Sequence, residues 1–399
     1  KMFLFSDLSM RIGGAGFENA AVLPPFKRII FDEAHNIEHS ATTFFSESFT
    51  KYTVGKYIHR LYRERKHRRI GLLLKLEKMT AKKEMIHRLP ALLSAVTEQC
   101  DVIENTVSIH IGDQTTYRIT GEQTDSLQKQ VFMPLLELQD RILAVLQETH
   151  KLIESIEEQY TESPEFYEAN SLFRELEAIA SICERFRTYS EYPNSVFWIE
   201  RVRKRGGDQF LRFTISPLEI SPVLKEALFE QYRTIICTSA TLTVRNNFRF
   251  WMSRLGIDSL DAERVHAEIF PSPFPYRQNV LIGVPENAPQ PDEAGYQEFV
   301  STFVKDIISI SEGRALVLFT SYRMLEKTYE DVIPSFSERT INIMKQGSKD
   351  RAKLLYSFNE DTASVLFATA SFWEGIDAPG ETLKVVIICR LQIGRASCR

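Results

Sequence analysis

Two acidic residues and a histidine follow an apolar stretch at residues 28–38, which read R-I-I-F-D-E-A-H-N-I-E. A run of this kind predicts a buried parallel strand, and open α/β sheets bind ligands just beyond the carboxyl ends of their strands. At that position Asp32 could hold Mg²⁺ through the water shell of the ion, and Glu33 could polarise an attacking water. The spacing therefore predicts nucleotide hydrolysis, although D-E-A-H alone also occurs by chance on surface turns.

Later segments repeat the arrangement of an apolar strand that ends in polar residues. Each predicts hydroxyl or acidic groups at the carboxyl end of a strand. This recurrence makes chance a poor explanation of the first segment. The segments are Y-R-T-I-I-C-T-S-A-T-L-T at 232–243, A-L-V-L-F-T-S-Y at 315–322 and S-V-L-F-A-T-A-S-F-W-E-G-I-D-A-P-G at 364–380.

This ordered set resembles the XPD/DinG branch of superfamily 2 DNA helicases, and it is closest to bacterial DinG-like proteins. The resemblance covers nearly the whole chain, and T-S-A-T-L and W-E-G-I-D are far more specific strings than D-E-A-H. The matching segments are D-E-A-H at 32–35 as motif II, Ser239-Ala240-Thr241 as motif III, Phe319-Thr320-Ser321 as motif IV and F-W-E-G-I-D at 372–377 as motif V.

The resemblance implies a role for each residue of the nucleotide site. Asp32 would hold Mg²⁺ and Glu33 would orient the hydrolytic water. His35 would contact the hydroxyls of Ser239 and Thr241, with Ala240 between them, and so couple nucleotide state to the grip on DNA. The implied nucleotide-binding residues are Asp32, Glu33, Glu374, Gly375 and Asp377.

The resemblance also implies contacts with DNA in the second half of the chain. Thr320, Ser321 and Tyr322 would hold phosphates through hydroxyls and backbone amides, a contact that does not read sequence. Gln346 would add a phosphate contact, although a plain loop is nearly as good an interpretation. Trp373 could stack on a base or simply pack beside its strand.

A cluster of basic residues lies at 60–69, where Arg65 and Arg68 are typical members. A basic helix of this kind is most simply a solvated face. In a helicase of this branch it could instead contact the backbone of single-stranded DNA, which requires positive charge and tolerates any sequence.

About 200 residues separate motif II from motif III, so an insertion is expected in the first domain. Apolar residues recur at helical spacing through most of it, and the resemblance identifies it as the helical arch of the family. Residues 107–124 alternate and predict a hairpin. The expected divisions are 1–45 and 193–245 for the first RecA-like domain, 46–192 for the arch, 246–277 for a linker, 278–391 for the second RecA-like domain and 392–399 for a non-native tail.

Strands and helices alternate from about residue 280 onwards, which predicts a parallel sheet with helices on both faces. The fold class is therefore predicted as α/β, with two RecA-like parallel-sheet domains, both incomplete, and a helical arch inserted in the first. Predicted strands include 280–284, 316–319, 340–343, 365–368 and 385–389.

Both ends are expected to be truncated. The phosphate-loop pattern G-x-x-x-x-G-K-[ST] does not occur, and the glycine-rich stretch 13–16 is interpreted as a loop. A 4Fe-4S cluster is implied for the full-length protein, but its four cysteines are not expected here, because the five present are scattered and are interpreted as buried or incidental thiols. Motif VI is missing, and residues 392–399 match the translation of a common sequencing adapter.

Composition fits a multidomain globular chain of 399 residues, with 43% hydrophobic and 26% charged residues. A net charge of -4 gives no general indication of nucleic-acid binding, so any such surface is local. No apolar run reaches the length of a membrane span, and a cytoplasmic monomer is expected.

These observations predict part of an ATP-dependent 5′-3′ DNA helicase of DinG type, which uses ATP and Mg²⁺ and acts on single-stranded DNA and forks in repair or replication. Without the phosphate loop and motif VI, the fragment itself is predicted to be inactive. One alternative is a DinG relative with an upstream exonuclease domain. Another is a helicase-derived module that binds DNA without hydrolysis.

Overall fold

The computed structural model describes residues 2–11, 17–18, 20–65, 68–80, 84–121, 124–203, 208–337, 341–369, 372, 378 and 381–390. The chain forms two compact units, residues 1–271 and 272–399. Within the described residues, none of the helices combines the length and the hydrophobicity that a membrane crossing needs.

Unit 1 combines a small parallel sheet with a large insert. Its strands are β1 (Arg28–Phe31), β2 (Glu47–Thr50), β3 (Arg63–Arg65), β4 (Arg68–Ile70), β5 (Thr116–Arg118), β6 (Ser195–Arg203), β7 (Gln209–Pro217) and β8 (Thr234–Cys237). Its helices are α1 (Met2–Met10), α2 (Ile37–Phe44), α3 (Lys51–Leu61), α4 (Leu73–Leu76), α5 (Glu84–Ile111), α6 (Asp125–Leu127), α7 (Met133–Glu154), α8 (Pro164–Arg187), α9 (Ser221–Leu224) and α10 (Arg249–Leu255).

β1 and β8 pair in parallel although about 200 residues separate them in sequence. The apolar residues of both strands pack against α1, α2, α9 and α10, and removal of this surface from water is the main force that holds the layer together. The buried residues of this core include Phe5, Leu8, Phe31, Ile37, Leu224 and Leu255.

A buried ion pair fixes the segment before β1. Arg11 Nε donates to Asp7 Oδ2 at 2.6 Å, and both side chains are almost fully buried. Burial opposes ionisation of Asp7, but the Arg11 guanidinium and the amide of Leu23 outweigh it and lower its pKa. Arg11 also donates to the carbonyls of Phe17 and Leu23. Buried charges are tolerated when paired, and these bonds tie Phe17 and Leu23 to the end of α1.

The insert comprises β2–β7 and α3–α8 and has its own hydrophobic core. The sheet has the order β2-β7-β6-β5 and is antiparallel throughout. The predicted helical stripes are confirmed, because Val54 and Ile58 in α3, Leu138 in α7 and Leu176 in α8 are all buried in this core.

One expectation for the insert was wrong. Residues 107–124 do not form a hairpin: α5 continues to Ile111 with Val107 and Ile111 buried, and only Thr116–Arg118 is a strand, paired with β6. The strands β6 and β7 follow α8, and their inward residues Phe197 and Phe213 pack with the insert helices. The division of the chain into domains at the predicted residues stays a prediction.

Beyond Leu61, the described residues of the basic cluster are not helical. α3 ends at Leu61, Tyr62 is extended, and β3 and β4 pair antiparallel with Arg65 opposite Arg68. Charge content alone does not distinguish a solvated helix from a solvated hairpin. Here the basic side chains are carried by two paired strands and not by one face of a helix.

Unit 2 is a parallel α/β sheet in the order β10-β11-β9-β12, with helices that pack against it. Its buried residues form two clusters. Its strands are β9 (Ala315–Leu318), β10 (Asn342–Lys345), β11 (Ser364–Ala368) and β12 (Val385–Ile388), and its helices are α11 (Tyr276–Asn279), α12 (Tyr296–Ser311), α13 (Tyr322–Val332) and α14 (Arg351–Glu360).

The predicted fold class, α/β with parallel sheets of the RecA-like kind, is confirmed. The strand expected at 280–284 is wrong, because this stretch is extended coil with Leu281 and Ile282 exposed. The predicted linker is also partly structured, since α10 packs against the core of unit 1 and Arg254 forms an ion pair with Glu38 in α2.

Candidate functional site

Asp32 and Thr238 leave the two paired strands side by side. The paired register ends at Phe31 opposite Cys237, and hydrogen bonds continue between the two segments just beyond the strands. Thr238 N donates to Phe31 O at 2.8 Å and Ala34 N donates to Thr238 O at 2.9 Å. Thr238 Oγ1 also donates to Asp32 Oδ1 at 3.3 Å. The segment after β8 is therefore bonded to the acidic turn through both backbone and side chain.

The acidic turn depends on an unusual backbone conformation at Glu33, with φ 51° and ψ 55°. This left-handed conformation reverses the chain, so that Ala34 is buried while Asp32 and Glu33 remain at the surface. Glu33 N donates to Asp32 Oδ1 at 3.0 Å, which fixes the first carboxylate over the turn. A non-glycine residue in this region is strained, and such strain is concentrated at functional sites.

His35 connects the two strand ends through a chain of hydrogen bonds. Asn36 Nδ2 lies 2.9 Å from His35 Nε2. Because an amide nitrogen only donates, the ring proton is on Nδ1, and it is donated to Ser239 Oγ at 2.7 Å. Ser239 Oγ in turn donates to Glu33 Oε2 at 3.2 Å, an oxygen that also lies 3.1 Å from His35 Nδ1. The chain of bonds thus ends on the carboxylate that was predicted to orient water.

The neighbouring residues of this segment have smaller parts in the network. The hydroxyl in contact with His35 is that of Ser239, whereas Thr241 contributes its backbone amide to Ser239 Oγ at 3.4 Å. Ala240 and Thr241 are exposed. The predicted contact of His35 with this segment is therefore present through Ser239.

The donor set suits a hard cation held mostly by water. Asp32 presents an exposed carboxylate beside the hydroxyl of Thr238, and Mg²⁺ prefers oxygen ligands while it retains several waters. Within the described ranges, no group of three or more histidine, cysteine or acidic side chains is arranged to enclose a metal ion. A single carboxylate that acts through water is the arrangement these residues fit.

The described cysteines do not fit an iron-sulfur cluster. Cys100 and Cys183 lie in the insert, Cys237 in β8 and Cys389 just after β12. Burial raises the pKa of Cys100, Cys237 and Cys389 to about 12, whereas such clusters are held by thiolates. Cys100 and Cys183 are buried, whereas Cys237 and Cys389 are half-buried.

A second polar site lies at the carboxyl ends of the strands in unit 2. Ser321 caps α13, because its Oγ accepts from Met324 N at 3.3 Å. Thr320 precedes it at the end of β9, and Tyr322 is the first residue of the helix, with 56% of its surface exposed. The predicted contacts Thr320, Ser321 and Tyr322 therefore lie together at one strand end.

Gln346 joins three strand ends. Its Oε1 accepts from Thr369 N at 2.7 Å and from Thr369 Oγ1 at 2.9 Å. These bonds orient the amide so that Nε2 donates to Tyr322 Oη at 2.6 Å. Since Tyr322 Oη accepts this bond, its own proton is directed elsewhere. Sequence reasoning missed Thr369; the only signal was a hydroxyl directly after an apolar strand, as at Thr238.

Several predicted residues fall outside what the structure describes. Trp373, Glu374, Gly375 and Asp377 are in this group, as is the predicted tail 392–399. Phe372 beside them is buried, with the guanidinium of Arg351 5.1 Å from its ring centre. In the basic hairpin, Arg68 is exposed in β4, and the backbone of Arg65 pairs with it.

Residues 304–393 match the family model of the helicase C-terminal domain. The chain is 24% identical over 390 residues to the 3′-5′ exonuclease DinG of Bacillus subtilis (strain 168), covering 92% of this chain and 41% of that protein. It is 27% identical over 393 residues to the ATP-dependent DNA helicase YoaA of Haemophilus influenzae, covering 97% and 53%. It is 31% identical over 199 residues to YoaA of Escherichia coli (strain K12), covering 50% and 29%. The chain thus spans about half the length of these relatives or less.

Proposed function

We propose, on the premise that this chain is a DinG-like relative, that it forms part of an ATP-dependent DNA helicase. The resemblance predicted from the motifs is confirmed by similarity to DinG and YoaA proteins over 92% and 97% of the chain. The observation that best supports hydrolysis is the hydrogen-bond chain from His35 through Ser239 to Glu33. That chain connects a catalytic carboxylate to a second strand of the same sheet.

In this proposal the acidic turn performs hydrolysis. Asp32 holds Mg²⁺ through water, and the ion, when bound, neutralises charge on the phosphates. Glu33 orients the attacking water, and the bond from Ser239 Oγ holds Oε2 in one direction. Glu374, Gly375 and Asp377 would complete the nucleotide site, Gly375 by permitting close approach of the backbone.

The same hydrogen bonds supply a physical basis for coupling. Ser239 belongs to the segment that follows β8, so a shift of that segment alters the bond to His35 and the orientation of Glu33. A helicase needs such a connection, because hydrolysis must respond to DNA. We propose that Ser239, Ala240 and Thr241 transmit this response.

DNA contacts are proposed at two places. In unit 2, Thr320, Ser321 and Tyr322 present hydroxyls and a helix terminus at one strand end, a set that suits phosphate. Gln346 acts there mainly as a support, because its amide is bonded to Thr369 and Tyr322. Trp373 would stack on a base.

The second proposed DNA contact is the basic hairpin, with Arg65 and Arg68. These groups lie on the insert, which we propose as the arch that the resemblance implies. We further propose that the intact protein is a cytoplasmic monomer. It would move along single-stranded DNA with 5′-3′ polarity and unwind forks in repair or replication.

The decisive experiment is the substitution Glu33→Gln in the intact protein that contains this chain. DNA-stimulated ATP hydrolysis should fall by roughly 100-fold or more, the range for loss of a general base, while affinity for single-stranded DNA is retained. Glu226→Gln, at an exposed position, is the matched control. A wild-type protein that binds DNA but does not hydrolyse ATP would instead establish a non-hydrolysing DNA-binding module.

A second candidate activity follows from the name of the Bacillus subtilis relative, a 3′-5′ exonuclease of which this chain matches 41%. In that case an exonuclease domain precedes the helicase part in the intact protein. Release of nucleotides from a 3′-labelled strand without ATP would establish it, and Glu33→Gln should leave that release unchanged.

A further inference from the structure

The insert contains a cleft that the acidic turn does not involve. It has a volume of about 870 Å³ and lies between α3, the hairpin β3–β4, α4 and α8. We call it the insert cleft. Four of the residues that line it are cationic, and the facing helix α8 contributes carboxylates. The residues that line the cleft include Lys56, Tyr57, Arg60, Arg63, Lys75, Glu168 and Glu175.

Each of three carboxylates on one side of α8 binds one side chain from the opposite side of the cleft. Glu165 Oε1 accepts from Lys75 Nζ at 3.0 Å, and Glu168 forms an ion pair with Arg60. Glu175 Oε2 accepts from Tyr57 Oη at 2.9 Å. Glu168 lies one helical turn beyond Glu165, and Glu175 lies two turns further, so the three acids share one face of α8. We call them the carboxylate row.

The four cationic side chains of the cleft outnumber the three carboxylates of the row. Within the described residues, no carboxylate lies at ion-pair distance from Lys56 or Arg63. Arg63 is paired with Ile70 in the hairpin, and both line the cleft. Arg68 lies two residues before Ile70 in β4 and so belongs to the same face of the strand. The positive surface therefore continues from the cleft along the hairpin.

The existing pairs are of the kind that another anion can replace. Arg60 and Lys75 are 66% and 60% exposed, and exposed ion pairs contribute little because water and salt screen them. A backbone phosphate carries one negative charge, as a carboxylate does, and offers arginine the same kind of two-bond contact. A strand with several linked phosphates could engage Arg60, Arg63 and Lys75 together, whereas each carboxylate engages one.

We propose that the insert cleft binds the phosphate backbone of a single nucleic-acid strand, and that Glu165 and Glu168 occupy the phosphate positions when the strand is absent. α8 is then a built-in competitor of the strand. This inference rests on the proposed DNA-binding function and adds a specific groove and an internal competitor to it. This competition sets a minimum length for tight binding, because a strand must replace both carboxylates to bind firmly.

The test measures binding of a fluorescent oligothymidylate to the full chain by anisotropy at several salt concentrations. The double variant Glu165→Gln/Glu168→Gln should bind about 10-fold more tightly at low salt. Its affinity should also depend more steeply on salt, by about 0.7 unit of slope for each additional phosphate contact that the freed Arg60 or Lys75 makes with the single strand. The control is Glu177→Gln/Glu184→Gln, which removes the same charge from exposed positions of α8 outside the cleft.

The outcomes separate the competitor from the wider DNA-binding proposal. Equal gains in the cleft variant and the control overturn the competitor, because only total charge then matters. Arg63→Glu should weaken binding about 10-fold with an unchanged melting temperature; wild-type affinity in that variant shows that DNA binds elsewhere on the chain. If neither the wild-type chain nor the cleft variant binds, both the cleft and the proposed DNA-binding function of this chain fail.

Discussion

Two polar sites in this molecule occupy the same position in the fold but differ in chemistry. In unit 1 the carboxyl ends of β1 and β8 carry Asp32, Glu33, His35 and Ser239, which we call the acidic end. In unit 2 the ends of β9, β10 and β11 carry Tyr322, Gln346 and Thr369, which we call the amide end.

The difference lies in which groups hold the network together. At the acidic end a histidine and a serine orient a carboxylate, so the network ends on a charge that can act on water and metal. At the amide end a glutamine orients a phenol, so the network ends on a neutral donor. A parallel sheet thus places polar groups at one edge, while the residue type decides between hydrolysis and neutral binding.

The largest effect is expected from Asp32→Asn, which removes the proposed magnesium ligand at the acidic end. ATP hydrolysis by the intact protein should fall on the order of 1,000-fold, because metal stabilisation of phosphoryl transfer is worth several kcal/mol. DNA affinity without nucleotide should not change. Asp258→Asn, also exposed, is the control. Equal hydrolysis in both variants would remove the acidic end from the chemistry.

A smaller effect is expected from His35→Ala, which breaks the link between the two strands. The stimulation of hydrolysis by DNA should fall about 10-fold. The rate without DNA should fall less, because Glu33 keeps its carboxylate and loses only part of its orientation. Ser239→Ala should have the same effect, and the double variant should add little, because both changes break one hydrogen-bond chain. Additive losses would show that the two residues act separately.

At the amide end, Thr369→Val removes one of two bonds to Gln346 Oε1. The free energy of unfolding should fall by about 1 kcal/mol, as for loss of a typical hydrogen bond. Affinity for single-stranded DNA should fall only about 2-fold, because Tyr322 keeps its hydroxyl and loses part of its support, while hydrolysis at saturating DNA is retained. Thr362→Val, in an exposed turn, is the control. A loss of hydrolysis would contradict the division between the two ends.

The smallest effect is expected from Tyr322→Phe, which removes only the proposed donor. Single-stranded DNA should bind about 3-fold more weakly, in line with one hydrogen bond of modest strength, with stability nearly unchanged. Tyr356→Phe, similarly exposed on α14, is the control. Wild-type affinity in Tyr322→Phe would show that the amide end is a structural feature alone.

The acidic end was largely predictable, because its chemistry is local. Asp32, Glu33 and His35 follow an apolar run within four residues, and the T-S-A string marks the partner strand. The amide end was only partly predictable. The contact of Gln346 with Thr369 joins two strand ends 23 residues apart, and neither residue type nor spacing indicates it.

The two errors in predicting strands have a common physical origin, because a strand forms only where a neighbouring strand can pair with it. Residues 280–284 have the composition of a strand but are exposed coil, since composition does not supply a neighbour for pairing. The basic cluster was interpreted as a helix, yet its residues beyond Leu61 form a hairpin. Composition alone did not reveal which strands would pair. Helices such as α7 and α8 were predicted well because their apolar period is internal to each element.

The left-handed backbone at Glu33 implies a conflict between stability and activity at one residue. A side chain in this conformation costs about 1 kcal/mol relative to glycine. Glu33→Gly should therefore raise the thermal unfolding temperature, while it removes the carboxylate on which the hydrogen-bond chain ends. At this turn the most stable residue and the reactive residue are different, so selection for folding alone would eliminate the group that the chemistry needs.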